Sequence, residues 1–295
     1  MITIVLLGEK DHGKSTLIGR LIFETKSLPD DRMRDVRNAL KGKGKKFEWA
    51  HLLDSFQYER EHEMTLDTTR ALVNLGGRLF EFIDVPGHKE LIKNMLTGAS
   101  EAKFAILIID VNEGVKPQTL NHLEIAEFLG IEKLIIAVNK VDTIGYSRLR
   151  FEKAKKEFLE IFGGKGLVKK TLIIPVSAFS GNNLLKRTSS LSWYKGPTLY
   201  KAVLKDFITT RKIAVTPGQN KTSMARPVCI FIDAPKSNLI LESANGTASI
   251  KSISGYQRIH ILQPVSVILV KPLFLGNKFV IKQKGRIIGV CRITE

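Results

Sequence analysis

Over the first two-thirds of the chain, short apolar runs alternate with segments whose apolar positions recur at helical spacing. Ile2 to Leu7, Ala71 to Leu75, Leu79 to Ile83, Phe104 to Asp110, Leu134 to Asn139 and Leu172 to Val176 read as strands. Lys14 to Phe23, Glu90 to Ala99, Gln118 to Leu129 and Arg150 to Phe162 read as amphipathic helices between them. Such alternation predicts an α/β unit: a mostly parallel sheet covered on both faces, with ligands outside the carboxyl ends of its strands. Lys41 to Lys46 is a basic, glycine-interrupted stretch expected to be a solvated loop.

After Lys212 the helical period stops. Thr216-Pro217-Gly218-Gln219-Asn220 has linker composition, and five short strands are expected beyond it: Val228 to Ile232, Thr247 to Ile253, Val265 to Val270, Lys278 to Gln283 and Arg286 to Thr294. One small antiparallel β-barrel or sandwich is the simplest way to bury them. The expected division is residues 1–210, a linker over 211–226 and a small β-barrel over 227–295. No internal repeat is visible.

Candidate chemistry begins at the first strand-to-helix junction. Gly8-Glu9-Lys10-Asp11-His12-Gly13-Lys14-Ser15-Thr16 fits Gly-x-x-x-x-Gly-Lys-Ser between a strand and a helix, the pattern of a phosphate-binding loop. Successive backbone N–H groups and the helix N-terminus cradle phosphate oxygens, Lys14 adds a point charge, and the Ser15 hydroxyl is a Mg²⁺ ligand. Further along, Asp84-Val85-Pro86-Gly87 closes a strand, placing Asp84 for the Mg²⁺ shell and the Gly87 N–H for a terminal phosphate. Asn139-Lys140-Val141-Asp142 follows another strand: Asp142 can accept from the N1–H and N2 amino edge of guanine, Asn139 braces the loops, and the Lys140 stem lies along the base. A backbone N–H at Ser177-Ala178 is the expected partner of guanine O6. Within Glu59 to Asp67, Thr65 is the candidate further Mg²⁺ ligand on a segment that orders with the γ-phosphate. In this order the motifs point to GTP/GDP with Mg²⁺, on a P-loop GTPase domain.

Composition bounds this picture. The 295 residues are 43% hydrophobic, no apolar run reaches membrane-spanning length, and no secretory leader pattern opens the chain, so a cytoplasmic protein is expected. Cys229 and Cys291 sit in apolar, strand-like segments, where a buried reduced pair is expected. The net charge is +17, and from Arg211 onward thirteen Lys or Arg face three Asp or Glu, a surplus of ten. An anionic partner such as RNA or an acidic protein surface fits that excess, as does a basic barrel that is merely solvated.

The residues Gly8 to Ser15, Asp84 to His88, Asn139 to Asp142, Ser177-Ala178 and Trp193 to Leu199 resemble the translation-factor GTPases, the elongation factor Tu family. Within it, Leu17 to Leu21, Leu52 to Glu61, Asn94 to Ser100 and the short connection Val111 to Gln118 are most similar to the GTPase subunit of bacterial sulfate adenylyltransferase. The resemblance implies that His88 positions the attacking water, with Lys14 and Mg²⁺ stabilising charge on the transferred phosphoryl group. It also implies a switch that couples GTP hydrolysis to a protein partner, an adenylyltransferase. The alternatives are a translation or RNA-linked GTPase, and a GTP-dependent interaction module with negligible hydrolysis.

Lys10 stands where the family usually carries valine, Met64 replaces isoleucine and Glu63 replaces glycine. A lysine there supplies charge in cis, obstructs the water, or points to solvent, and all three leave nucleotide binding intact. Family members follow the nucleotide domain with two β-barrels, whereas about 80 residues after the linker suffice for one. Lys278 to Gly289 resembles the close of the last barrel, so the middle barrel is expected to be absent or much reduced.

Overall fold

A computed structural model of the chain describes residues 1–28, 69–84, 102–162, 167–168, 171–208, 221–225, 228–231, 238–243, 246–254, 263–274, 278–284 and 286–292, with isolated positions between 31 and 52, among them Trp49 and Leu52. The chain divides into two compact units, Met1–Thr210 and Arg211–Glu295.

In the first unit, six strands form one sheet in the order β2-β3-β1-β4-β5-β6: β1 (Ile2–Leu7), β2 (Thr69–Leu75), β3 (Arg78–Asp84), β4 (Phe104–Asp110), β5 (Lys133–Asn139) and β6 (Leu172–Pro175). All neighbours run parallel except the β2–β3 hairpin. Because β1 lies between β3 and β4, the order reverses there, and the carboxyl ends of β1, β3, β4, β5 and β6 share one edge. A switch point of this kind opens a crevice at that edge. Every residue of β4 is buried, as expected of a central strand covered on both faces.

Among the described residues, the unit includes the helices α1 (Lys14–Glu24), α2 (Pro117–Leu129), α3 (Arg148–Phe162) and α4 (Leu199–Ile208). Leu17, Ile18, Leu21 and Ile22 form one stripe of α1 and are buried in a core shared with Ile4, Leu6, Phe80, Phe82, Ile106 and Ile135. At such sites a Leu or Ile to Ala change costs about 2–5 kcal/mol. The Thr25 backbone N–H and hydroxyl both bond the Leu21 carbonyl and so end α1. Helix α4 falls outside the expected set, yet its buried Leu199, Ala202, Val203 and Phe207 have helical spacing, and Phe207 stacks on Phe104 at 4.6 Å. The helix expected over Glu90 to Ala99 and the basic stretch Lys41 to Lys46 lie outside the described residues.

The second unit is an eight-stranded antiparallel sheet in the order β11-β8-β14-β13-β9-β10-β12-β7. Its members are β7 (Lys221–Ala225), β8 (Val228–Phe231), β9 (Leu239–Ser243), β10 (Gly246–Ser254), β11 (Gln263–Pro264), β12 (Ser266–Phe274), β13 (Lys278–Gln283) and β14 (Arg286–Arg292). Three strands exceed expectation, and β7 occupies part of the range read as linker, where it pairs with β12. Among the described residues the sheet runs from β11 at one edge to β7 at the other, and a separate small antiparallel sheet is what the structure shows where a barrel is expected. Strand β10 serves both halves, pairing with β9 through its first residues and with β12 through its last. Leu239, Leu241, Val265, Val267, Leu269 and Ile281 form the core with Cys229 and Cys291.

The two cysteines overturn the expectation of a reduced pair: Cys229 and Cys291 form a disulfide. They sit opposite each other in β8 and β14 with Cα atoms 4.1 Å apart, the close spacing of one type of antiparallel pair. Long-range register, which sequence separation does not reveal, brings them together.

Candidate nucleotide-binding site

The loop from Gly8 to Ser15 leaves β1 at the switch point and runs into α1. Gly8 has φ 138°, and a Cβ there would overlap the Ile108 carbonyl oxygen of β4. Gly13 has φ 97°, and its Cβ would overlap the Asn139 side chain. Both positions therefore need glycine, for the left-handed conformation and for close approach.

Inside the loop, side chains are turned onto the protein itself. Lys14 Nζ donates to the carbonyls of Gly8 and Glu9, both at 2.9 Å. Burial pushes the Lys14 amine below its ordinary pKa, against the opposing pull of the Asp84, Glu9 and Asp11 carboxylates. The Ser15 hydroxyl donates to Asp84 Oδ2 at 2.7 Å, so two of the three candidate metal ligands meet. Their hydroxyl and carboxylate oxygens are the hard donor set that suits Mg²⁺. Lys10 is exposed in the turn, Asp11 is left-handed at φ 64°, and one Glu9 carboxylate oxygen is buried without a hydrogen bond. Thr16 follows in the first turn of α1.

The His12 ring is fully buried beneath the loop, its Nδ1 3.2 Å from the Ile108 carbonyl. A carbonyl only accepts, so Nδ1 carries the proton, while Nε2 lies 3.6 Å from Glu113. His12 thus supports the loop from below. The Gly8 N–H donates to His122 Nδ1 on α2 at 3.3 Å, a second support absent from the sequence reading.

Asn139, at the carboxyl end of β5, ties three segments. Its Nδ2 donates to the His12 carbonyl at 2.8 Å, and its Oδ1 accepts the Ala178 N–H at 2.9 Å. The Ser177 N–H is engaged by the Asn182 carbonyl at 3.0 Å. A carbonyl ligand therefore reaches the Ala178 amide only by sharing or displacing the Asn139 oxygen, a constraint the motif alone does not show.

Lys140 is left-handed at φ 62°, and the 3-10 turn Val141–Ile144 begins after it. The Thr143 hydroxyl donates to the Lys140 carbonyl at 2.7 Å, and Lys140 Nζ makes a 2.8 Å ion pair with Asp110 Oδ2. Asp142, in the turn, has a buried Oδ1 with no hydrogen-bond partner. A buried carboxylate oxygen without a donor costs the energy of its lost hydration, so this corner suits a ligand bearing N–H groups.

Asp110 has no site role in the sequence reading, which gives it only as the end of a strand, though a signal exists: it closes an otherwise apolar strand at the ligand edge, in register with Asn139. Burial alone would raise its pKa, but hydrogen bonds from Lys140 and Asn112 outweigh that and hold it below the usual carboxylate range. The loop 177–181 has its own clamp. Arg20 on α1 donates to the carbonyls of Phe179 and Ser180 at 3.1 and 2.9 Å, Trp49 Nε1 donates to the Phe179 carbonyl at 2.9 Å, and the Arg20 guanidinium lies over the Trp49 ring at 4.4 Å. Thr65, Gly87 and His88 lie outside the described residues.

A glycine loop at the switch point of an open α/β sheet, with polar residues closing the adjacent strands, defines a phosphate-loop nucleotide-binding unit. The model of the Elongation factor Tu GTP binding domain matches residues 1–234, and the chain belongs to that family. It is 34% identical to elongation factor 1-alpha of Thermococcus gammatolerans over 273 residues, covering 85% of this chain and 62% of that protein. It is 41% identical to elongation factor 1-alpha of Methanosphaerula palustris over 202 residues, covering 68% and 47%. The chain thus spans between about half and three-fifths of the length of these curated relatives. Its fold is similar to the GTP-bound GTPase-like domain of Ski7 from S. cerevisiae, with a TM-score of 0.62 at 17% identity over 99% of this chain and 97% of that one. No helix among the described residues is long and apolar enough to cross a membrane.

Proposed function

We propose that the chain is a GTP-binding and GTP-hydrolysing switch of the elongation-factor type that works with RNA or the translation apparatus. The carrying observation is the buried, partnerless Asp142 Oδ1 beside the Asn139 brace. Guanine offers that oxygen an N1–H and an N2 amino group, whereas adenine offers no such pair and leaves the carboxylate unsatisfied. Family membership and the Ski7 fold support the same ligand.

In this reading the backbone of Gly8 to Thr16 cradles the phosphates, and Lys14 leaves the Gly8 and Glu9 carbonyls for phosphate oxygens. Ser15 and Asp84, with Thr65, would hold Mg²⁺, which would supply positive charge to the phosphoryl oxygens. Gly87 senses the terminal phosphate and His88 orients the attacking water, roles that rest on the family resemblance.

The translation-linked reading is favoured by the named relatives, which are elongation factors, and by the surplus of ten positive charges beyond residue 210. The sulfate adenylyltransferase resemblance gains no support from these relatives. Asp142→Asn is expected to shift preference from GTP toward xanthosine triphosphate by about a hundredfold or more, read by competition against a fluorescent GDP. Equal loss of both nucleotides overturns the base contact. A pull-down with GTP against GDP distinguishes partners: ribosomes or RNA uphold the reading, and an adenylyltransferase replaces it.

A further inference from the structure

We infer that Asp110 is a positioning residue for the base subsite, holding the Lys140 ammonium away from Asp142 so that the Asp142 carboxylate stays free for the ligand. The inference rests on the guanine-nucleotide reading above and names a residue outside the motif that makes it work.

Lys140 and Asp142 are two residues apart, and a half-exposed lysine on a flexible four-carbon stem is an obvious partner for a neighbouring carboxylate. The structure shows another pairing. Lys140 Nζ is bound at 2.8 Å to Asp110, whose side chain is only 5% exposed, while Asp142 Oδ1 has no partner. Asp110 is itself fixed: its Oδ1 accepts the Asn112 backbone N–H at 2.8 Å and the Asn112 side-chain amide at 3.1 Å. Asn112 in turn donates to the Thr143 hydroxyl at 2.8 Å and accepts from Arg150 at 3.0 Å. The Thr143 hydroxyl also bonds the Lys140 carbonyl, so both ends of Lys140 are tied to one network.

Two consequences follow. The side-chain entropy of Lys140 is spent on folding, not on binding, so its stem is preorganised. The Lys140 ammonium, two residues from Asp142 in sequence, is also neutralised by a carboxylate outside the subsite. Removing the Asp110 charge frees the ammonium for Asp142, and the pocket then blocks itself with an internal ion pair that a guanine edge must break.

The test is equilibrium binding of GDP and ADP to the whole chain carrying Asp110→Asn, alone and with Lys140→Met. Asp110→Asn is expected to weaken GDP about tenfold while leaving ADP unchanged, because the phosphate contacts are untouched. Lys140→Met added to Asp110→Asn is expected to restore most of that loss, since no amine remains to occupy Asp142. Asp110→Glu, which keeps the charge, is expected to stay within about threefold of the parent for GDP, and it tests the proposal should the Asn variant not fold. Unchanged GDP affinity in Asp110→Asn, parallel loss of GDP and ADP, or further weakening by Lys140→Met each overturns the positioning role. If the parent chain itself fails to prefer GDP over ADP, the guanine reading falls first, and that outcome is visible before any variant is made.

Discussion

At the phosphate end of the site, Lys14 donates to two carbonyls of its own loop and Ser15 donates to Asp84. At the base end, Asp142 keeps an oxygen without a donor, and the nearby lysine is held by Asp110. A phosphate ligand must replace existing bonds, so its net gain is the difference between two sets of charge-assisted contacts. A base meets a group whose hydration is already gone. The phosphate end is therefore suited to reporting which nucleotide is bound, and the base end to choosing which base is admitted.

Lys14→Ala breaks this contrast most severely. Losing a cation from an anion cradle is expected to weaken GTP and GDP by about a hundredfold to a thousandfold without changing the guanine preference, read by titration of fluorescent nucleotides. Asn139→Ala comes next because its side chain joins the two ends. Losing the bonds to His12 and Ala178 is expected to weaken nucleotide about tenfold to a hundredfold and to lower the melting temperature by several degrees. If binding weakens while the melting temperature holds, Asn139 acts on the ligand instead of the brace.

A pH titration sharpens the comparison at the phosphate end. Burial lowers the Lys14 pKa in the free protein, and a bound phosphate favours the charged amine. Nucleotide affinity is thus expected to be level below that lowered pKa and to fall as pH rises through it, with a proton taken up on binding there. Calorimetry in buffers of different ionisation enthalpy measures that proton. The sign for folding is opposite: the free protein gains stability from this group as pH rises from the lowered folded value toward the unfolded one. The smallest effect is expected from Arg20→Ala, which removes two bonds to the carbonyls of the 177–181 loop and should speed GDP release a few-fold, measured by stopped-flow chase.

The core strands were legible because β4 and β5 are apolar runs ended by Asp110 and Asn139 at the ligand edge, and β1 is an apolar run that passes directly into the Gly8 loop. The site motifs were legible for a related reason: glycine, lysine and carboxylate spacing within a few residues encodes local geometry. Helix α4 was missed although Leu199, Ala202, Val203 and Phe207 carry its period, because it begins at the last residue of the Trp193 to Leu199 motif. Strands β7 and β11 escaped since five mixed residues and two residues hold almost no pattern of their own; their pairing partners define them. Asp110, Arg20 and Trp49 act across 30, about 160 and 130 residues of sequence, distances at which a single chain gives no pairing signal.

The bridge between Cys229 and Cys291 carries a consequence of another kind. A strand slipped by one residue turns each side chain to the opposite face, so the two sulfurs meet only when β8 and β14 are aligned as they are. The bond is a covalent record of that alignment, closed over a separation of 62 residues and legible in a non-reducing peptide map. A chain that has shuffled its tail cannot write it.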